Sequence, residues 1–148
     1  MMEVTSSTPP IARISFEGFE VNQVQLRQSR IAGDDMPKYS VDFKPSGRVS
    51  WGHGRFELRL QVSVESKPDS LAVELDARSY FTFDASLPPD DLHQLFIHNT
   101  LSLTFPYVRA YLSALTALSG LATVTMPTFN LTSYAKTLES KLEDVGSL

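Results

Sequence analysis

The longest regular pattern in the chain is an alternation of apolar and polar residues: Phe56, Leu58, Leu60, Val62 and Val64 interleave with Arg55, Glu57, Arg59, Gln61 and Ser63. Successive side chains of a strand face opposite sides, so this segment predicts a strand with one buried and one solvated face. Lys67-Pro68-Asp69 supplies turn chemistry. Leu71, Val73, Leu75 and Ala77, alternating with Ala72, Glu74, Asp76 and Arg78, then form the returning strand of a hairpin. That strand continues through Phe81 and Phe83 until Leu87-Pro88-Pro89 ends it. Upstream, Tyr39, Val41 and Phe43 predict another strand, closed by a Pro45-Ser46-Gly47 turn. Val49 and Trp51 lead on to the long strand past Gly52-His53-Gly54, a place for a bulge or bend. The earliest strand changes parity twice: Ile14 and Phe16 share one, Phe19 and Val21 the other, and Val24 and Leu26 return to the first. Two bulges, or an interruption at Gly18, account for it.

After Pro89 the period changes from two to 3.6. Phe105, Val108, Leu112 and Leu115 form one apolar stripe, and Tyr107, Tyr111, Ala114 and Leu118 form a second. One stripe suffices to cover the protein's own core, so the second predicts burial by another subunit, the alternative being a central helix of a compact core. Pro106 fits the first turn of a helix starting near Thr104, or a kink in a longer helix from near Pro89. The longer helix is preferred, because Asp90 and Asp91 then sit at its positive end. Gly120 terminates it. In the connection that follows, Val124, Met126, Phe129 and Leu131 have no helical spacing, and Met126 and Phe129 are assigned to apolar binding rather than to a loop tucked into the core. A short helix is expected from Thr132 to Leu142, with Tyr134, Leu138 and Leu142 on one face.

Strands first and helices last predict an α+β domain: a four-stranded antiparallel sheet with a long, Pro-kinked helix and a short C-terminal helix on one face. Its expected span is 11–142, with residues 1–10 and 143–148 as flexible ends. A chain of 148 residues without cysteine can build such a core and has no thiol chemistry. The net charge of −4 argues against sequence-independent nucleic-acid binding. No apolar run approaches membrane-spanning length, and no leader pattern opens the sequence, so a cytoplasmic protein is expected.

An enzyme would have to use His53, His93 or His98. His93 and His98 are five residues apart and point to different helix faces, and no phosphate loop, nucleophile elbow or carboxylate pair is present. No catalytic residue, metal site or cofactor is therefore assigned. A small-molecule carrier, using sheet and helix as a cup, is the remaining reading from another class.

The run Leu103-Thr104-Phe105-Pro106-Tyr107-Val108-Arg109 resembles the long helix of the SecB export chaperones, and the Pro-containing connection to Phe129-Asn130-Leu131 is similar to theirs. The resemblance extends from about Ile11 to Leu142. It implies a SecB-like fold, a homotetramer built as a dimer of dimers with the residues of both helix stripes at the oligomer interface, and an ATP-independent holdase whose apolar grooves take unfolded preproteins for export. On that resemblance Val41, Phe43, Trp51, Val124, Met126 and Phe129 would line the groove. Docking on the motor ATPase SecA would use Glu74 and Ala72, with Glu17 and Glu20 nearby. Some SecB-like proteins instead hold the antitoxin of a toxin-antitoxin system, and the departures at the SecA positions are compatible with that role.

Overall fold

The computed structural model describes residues 14–29, 38–67, 71–85, 89–120, 124–126 and 131–148. The elements in chain order are β1 (Ile14–Gln28), β2 (Lys38–Ser50), β3 (Arg55–Lys67), β4 (Leu71–Phe83), α1 (Pro89–Leu118), α2 (Leu131–Ser140) and β5 (Leu142–Asp144). The sheet order is β1-β4-β3-β2-β5, antiparallel except for β5, which runs parallel to β2. The architecture is the expected α+β layer pair, but the sheet is mixed and has five strands rather than four antiparallel ones.

The alternation read from the sequence sets the inner face. Phe56, Leu58, Leu60, Val62 and Val64 of β3 and Leu71, Val73, Leu75, Ala77 and Phe81 of β4 are all buried beneath the helices. In β1, register shifts between Phe16 and Gly18 and between Val21 and Gln23 leave Glu17 and Asn22 as extra residues. These two bulges return Phe16, Phe19 and Val21 to the core side despite their opposite parity.

Pro45-Ser46-Gly47 is not a turn. β2 continues straight through it, with Pro45 opposite Leu60 and Gly47 opposite Leu58. The Gly47 N–H donates outward to the Lys141 carbonyl, and alternate residues share a side, so the missing N–H of Pro45 falls on the sheet edge and no ladder bond is lost. Gly47 has its own constraint, since a Cβ there would lie 2.8 Å from the Phe56 ring. The bulge or bend expected at Gly52-His53-Gly54 is instead the chain reversal itself, the β2–β3 hairpin turn closed between the paired Ser50 and Arg55.

Helix α1 is 30 residues long, about 45 Å at 1.5 Å per residue, and so matches the roughly 43 Å height of the 13-residue strands. Pro106 lies inside it. The carbonyl this proline leaves without an N–H is that of Ser102, an exposed residue that water can serve. On the buried side α1 meets β4 through hydroxyls: Thr104 Oγ1 donates to the Thr100 carbonyl at 2.7 Å and lies 3.0 Å from Ser79 Oγ. All three residues are at most 1% exposed, and their small side chains let helix and sheet approach closely without leaving a buried hydroxyl unsatisfied.

The expected helix to Leu142 ends at Ser140, and Leu142 lies beside Gly47 as the first residue of β5. The segment read as a frayed tail is engaged here: the Val145 N–H donates to the Val49 carbonyl at 2.8 Å and Arg55 to the Leu148 carbonyl at 3.0 Å. Edge pairing is a non-local bond that helical periodicity does not encode.

Candidate functional site

Val41 and Phe43 alternate on the inner side of β2, which α2 covers. Phe43 is buried and meets Phe105 edge-on at 5.1 Å and Tyr134 at 5.4 Å. Burial raises the Tyr134 pKa above its ordinary value, with the Asp42 charge adding in the same direction. Val41 is half-buried beside this aromatic cluster. Trp51 lies eight residues beyond Phe43, about 26 Å along the strand, and contacts Phe83 instead. Of the expected groove residues, Val41 and Phe43 therefore lie together on β2, and Trp51 lies apart from them in the turn after it.

Val124 and Met126 are buried, with 2% and 3% exposure. The segment is held by side chains of α1: the Val124 N–H donates to Thr116 Oγ1 at 2.9 Å, and Ser113 Oγ donates to the Val124 carbonyl at 3.1 Å. Replacing a backbone ladder with two hydroxyls makes this attachment adjustable. A Thr116→Val variant should lose protection of the Val124 amide by about tenfold or more in hydrogen exchange, as one net hydrogen bond of about 1–1.5 kcal/mol is removed. Unchanged protection would mean that the Thr116 bond does not hold the segment in place. Phe129 lies outside the described residues.

The two stripes of α1 differ in burial except at Tyr111 and Leu115, one from each, which both pack partly against the core. Phe105, Val108 and Leu112 are buried against the sheet and Leu115 is half-buried. Tyr107 is 46% exposed, Leu118 is 88% exposed, and Ala114 is exposed, whereas Tyr111 is half-buried. Leu103, 42% exposed and one turn before Tyr107, extends the outward face and was legible at the i−4 position. Between Leu101 and Leu118 the only charged residue is Arg109. Tyr107 is steadied by stacking on Phe16 at 4.9 Å and by a tilted ring contact with Phe19 at 5.4 Å, which joins this face to β1, the strand at one sheet edge.

The opposite face of the sheet is polar. Glu20 accepts from Tyr80 and Asn22, which holds its carboxyl below the usual range, while the same bond pushes Tyr80 up to about 12. Glu17 accepts from Thr82 and Glu74 from Ser63. Ala72, half-buried, pairs with Arg27. Glu20 faces Arg78, about 13 Å along β4 from Glu74, and Glu17 lies about 26 Å away beside Thr82. The four residues expected to contact SecA do not converge.

His53 sits in the hairpin turn with Nδ1 3.0 Å from Ser50 Oγ, and His98 is exposed on α1. Among the described residues no three metal-ligating side chains gather, and no helix is long and apolar enough to cross a membrane.

No protein-family model matches the chain, and no curated protein matches its sequence. Among solved structures, the chain is similar to the Mycobacterium tuberculosis Rv1957 SecB-like chaperone in complex with a ChAD peptide from the HigA1 antitoxin. The TM-score is 0.69 at 16% identity, covering 80% of this chain and 92% of that one. A protein of unknown function from Streptococcus agalactiae matches with a TM-score of 0.46 at 13% identity, over 78% of this chain and 97% of that one. The chain has a SecB-like fold.

Proposed function

We propose that this protein is an ATP-independent holdase that keeps an aggregation-prone polypeptide from collapsing, with an antitoxin as its dedicated client. The observation that carries the reading is the likeness to a SecB-like chaperone whose structure contains an antitoxin peptide. The separation of Glu17 and Glu20 from Ala72 and Glu74 favours a dedicated client over export through SecA.

The client contacts would be Val41 and Phe43 on β2, with Val124, Met126 and Phe129 from the connection after α1. Val124 and Met126 would be reached by displacing their segment from Thr116 and Ser113. Trp51 would serve a separate contact at the hairpin end. Each apolar client side chain buried there contributes about 1.5–3 kcal/mol, so a few are enough for micromolar affinity after ordering costs. Backbone pairing adds to this. The edge that β5 covers from Gly47 to Val49 continues to Val41 and Tyr39, whose N–H and C=O groups face the same side and can pair an extended segment. Contacts of this kind tolerate many sequences. By binding the unfolded client, the holdase lowers its free concentration without any chemical step. The working form is a cytoplasmic homotetramer, with Tyr107, Tyr111, Ala114 and Leu118 between protomers and the opposite stripe closing each protomer's core.

The purified protein should suppress light scattering by an unfolded antitoxin near one client per binding groove, with nucleotide absent. Pull-down from the native cell should return one dominant antitoxin. A spread of secretory precursors would move the role to export, and no suppression of any client would overturn the holdase.

A further inference from the structure

We infer that β5 is the resident occupant of a strand-addition site on the edge of β2, and that an extended polypeptide segment carrying an apolar residue binds there by displacing it. On the holdase reading, on which this rests, that segment is client backbone.

β5 is held weakly for the place it fills. It is three residues long and runs parallel to β2, whereas β2 and β3 pair antiparallel over all 13 residues of each. Parallel pairing is slightly less stable per residue. The Gly47 N–H donates to the Lys141 carbonyl at 3.3 Å, and the Val145 N–H donates to the Val49 carbonyl at 2.8 Å. Farther along, Ser50 Oγ donates to the Gly146 carbonyl at 3.4 Å and Arg55 to the Leu148 carbonyl at 3.0 Å. All four bonds end on backbone groups of the segment, and no residue from Lys141 to Leu148 is buried. Another extended chain offers the same carbonyls and amides.

One side chain sets a preference. Gly47 leaves a gap on the inner face, where a Cβ would lie 2.8 Å from the Phe56 ring and 3.1 Å from Leu142 Cδ1. Leu142 therefore fills the space over Gly47 beside Phe56, packed against the core. That seat takes one apolar side chain of an incoming strand.

The segment can leave without unseating the helix before it. Ala135 and Leu138 fix α2 in the core, and the Lys141 N–H closes its last turn on the Leu138 carbonyl at 3.0 Å. Once Gly47 and Val49 are uncovered, their edge groups continue those of Tyr39 and Val41, with Pro45 as a position that lacks an N–H. An occupant that pairs on both sides of Pro45 makes more backbone bonds than β5 does, and this surplus drives the exchange. Because β5 must leave first, the apparent affinity falls with the fraction of open edge.

The test locks β5 in place. Arg48 and Glu143 are register partners and both exposed, and the chain has no cysteine of its own. Neighbouring strands lie about 4.8 Å apart, within the roughly 4.4–6.8 Å between Cα atoms that a disulfide spans, so Arg48→Cys/Glu143→Cys can be closed by oxidation. Losing Arg48 from Glu57, which it shares with Arg78 at 3.7 and 3.5 Å, affects both redox states alike. The probe is labelled, reduced and carboxymethylated α-lactalbumin, an unfolded chain that reductant does not alter, followed by fluorescence anisotropy. The oxidised form should bind about tenfold or more weakly than the reduced form, since its competent fraction is nearly abolished. Leu142→Ala in the full chain should bind roughly fivefold more tightly than the unsubstituted protein, as the seat over Gly47 is then vacant. Equal, measurable binding by the oxidised and reduced forms would overturn the inference and leave the holdase reading in place, as would weaker binding by Leu142→Ala. A redox difference in binding without suppression of aggregation would overturn the holdase and leave the strand-addition site standing. Binding by none of the forms would overturn both.

Discussion

Replacing Gly54 by alanine is expected to destabilise the fold by about 3 kcal/mol or more, although the residue lies in a surface hairpin. Gly54 has φ +61°, a conformation that L side chains rarely adopt, and a Cβ there would lie 2.2 Å from the Phe83 carbonyl oxygen. That contact is with backbone, so no rotamer change relieves it. The Gly54 carbonyl also accepts from the Phe83 N–H at 2.9 Å, and the Phe83 ring meets Trp51 at 5.8 Å. Moving the turn therefore pulls the end of β4 away from the hairpin that covers it. Gly52, two residues earlier, has nothing within 4 Å of the place a methyl group would take and no positive φ, so Gly52→Ala should be nearly neutral. Urea midpoints of the two variants make the comparison. Equal midpoints would show that the turn relaxes freely and that the close approach to β4 carries no energy.

Placing aspartates at Leu103 and Leu118 is expected to dissociate the assembly while leaving the protomer folded. These side chains are 42% and 88% exposed, so neither contributes much to the protomer's own core. In the proposed interface each aspartate would bury a charge without a partner, at a cost of several kcal/mol, and two of them would lower association by about a thousandfold or more. Tyr107 is left unchanged because its ring contacts with Phe16 and Phe19 support β1, and losing them would mix fold with assembly. Sedimentation should give a tetramer for the unsubstituted chain and a smaller species for Leu103→Asp/Leu118→Asp, with matching far-ultraviolet spectra. A double variant that remains tetrameric would place the interface elsewhere.

Both surfaces trace back to patterns of different range. The β3–β4 hairpin and the parity changes of β1 were legible because burial on one sheet face imposes period two, and a bulge resets that period visibly. The long helix through Pro106 was legible from its two stripes and from the acidic residues near its start. Pro45 misled for a local reason: proline marks turns in general, and only its placement on the edge side of β2 makes it harmless in a strand. Val124 and Met126 read in the sequence as apolar residues of a connection, yet both are buried, and Val124 is held by Thr116 and Ser113, eight and eleven residues earlier on the helix. Likewise Arg48, Arg55 and Arg78 read individually as solvated strand residues. The carboxylate that Arg48 and Arg78 share is a product of cross-strand register.

The sequence by itself determined the element types, the inner face of the sheet and the presence of surplus apolar surface on the long helix, because each depends on side-chain periodicity within one segment. The tertiary structure alone decided that Leu142–Asp144 pairs with β2, that Val124 and Met126 pack inside, and that the proposed SecA positions lie apart. These depend on which backbone groups meet across the fold, and neither hydrophobic period nor turn propensity carries that information.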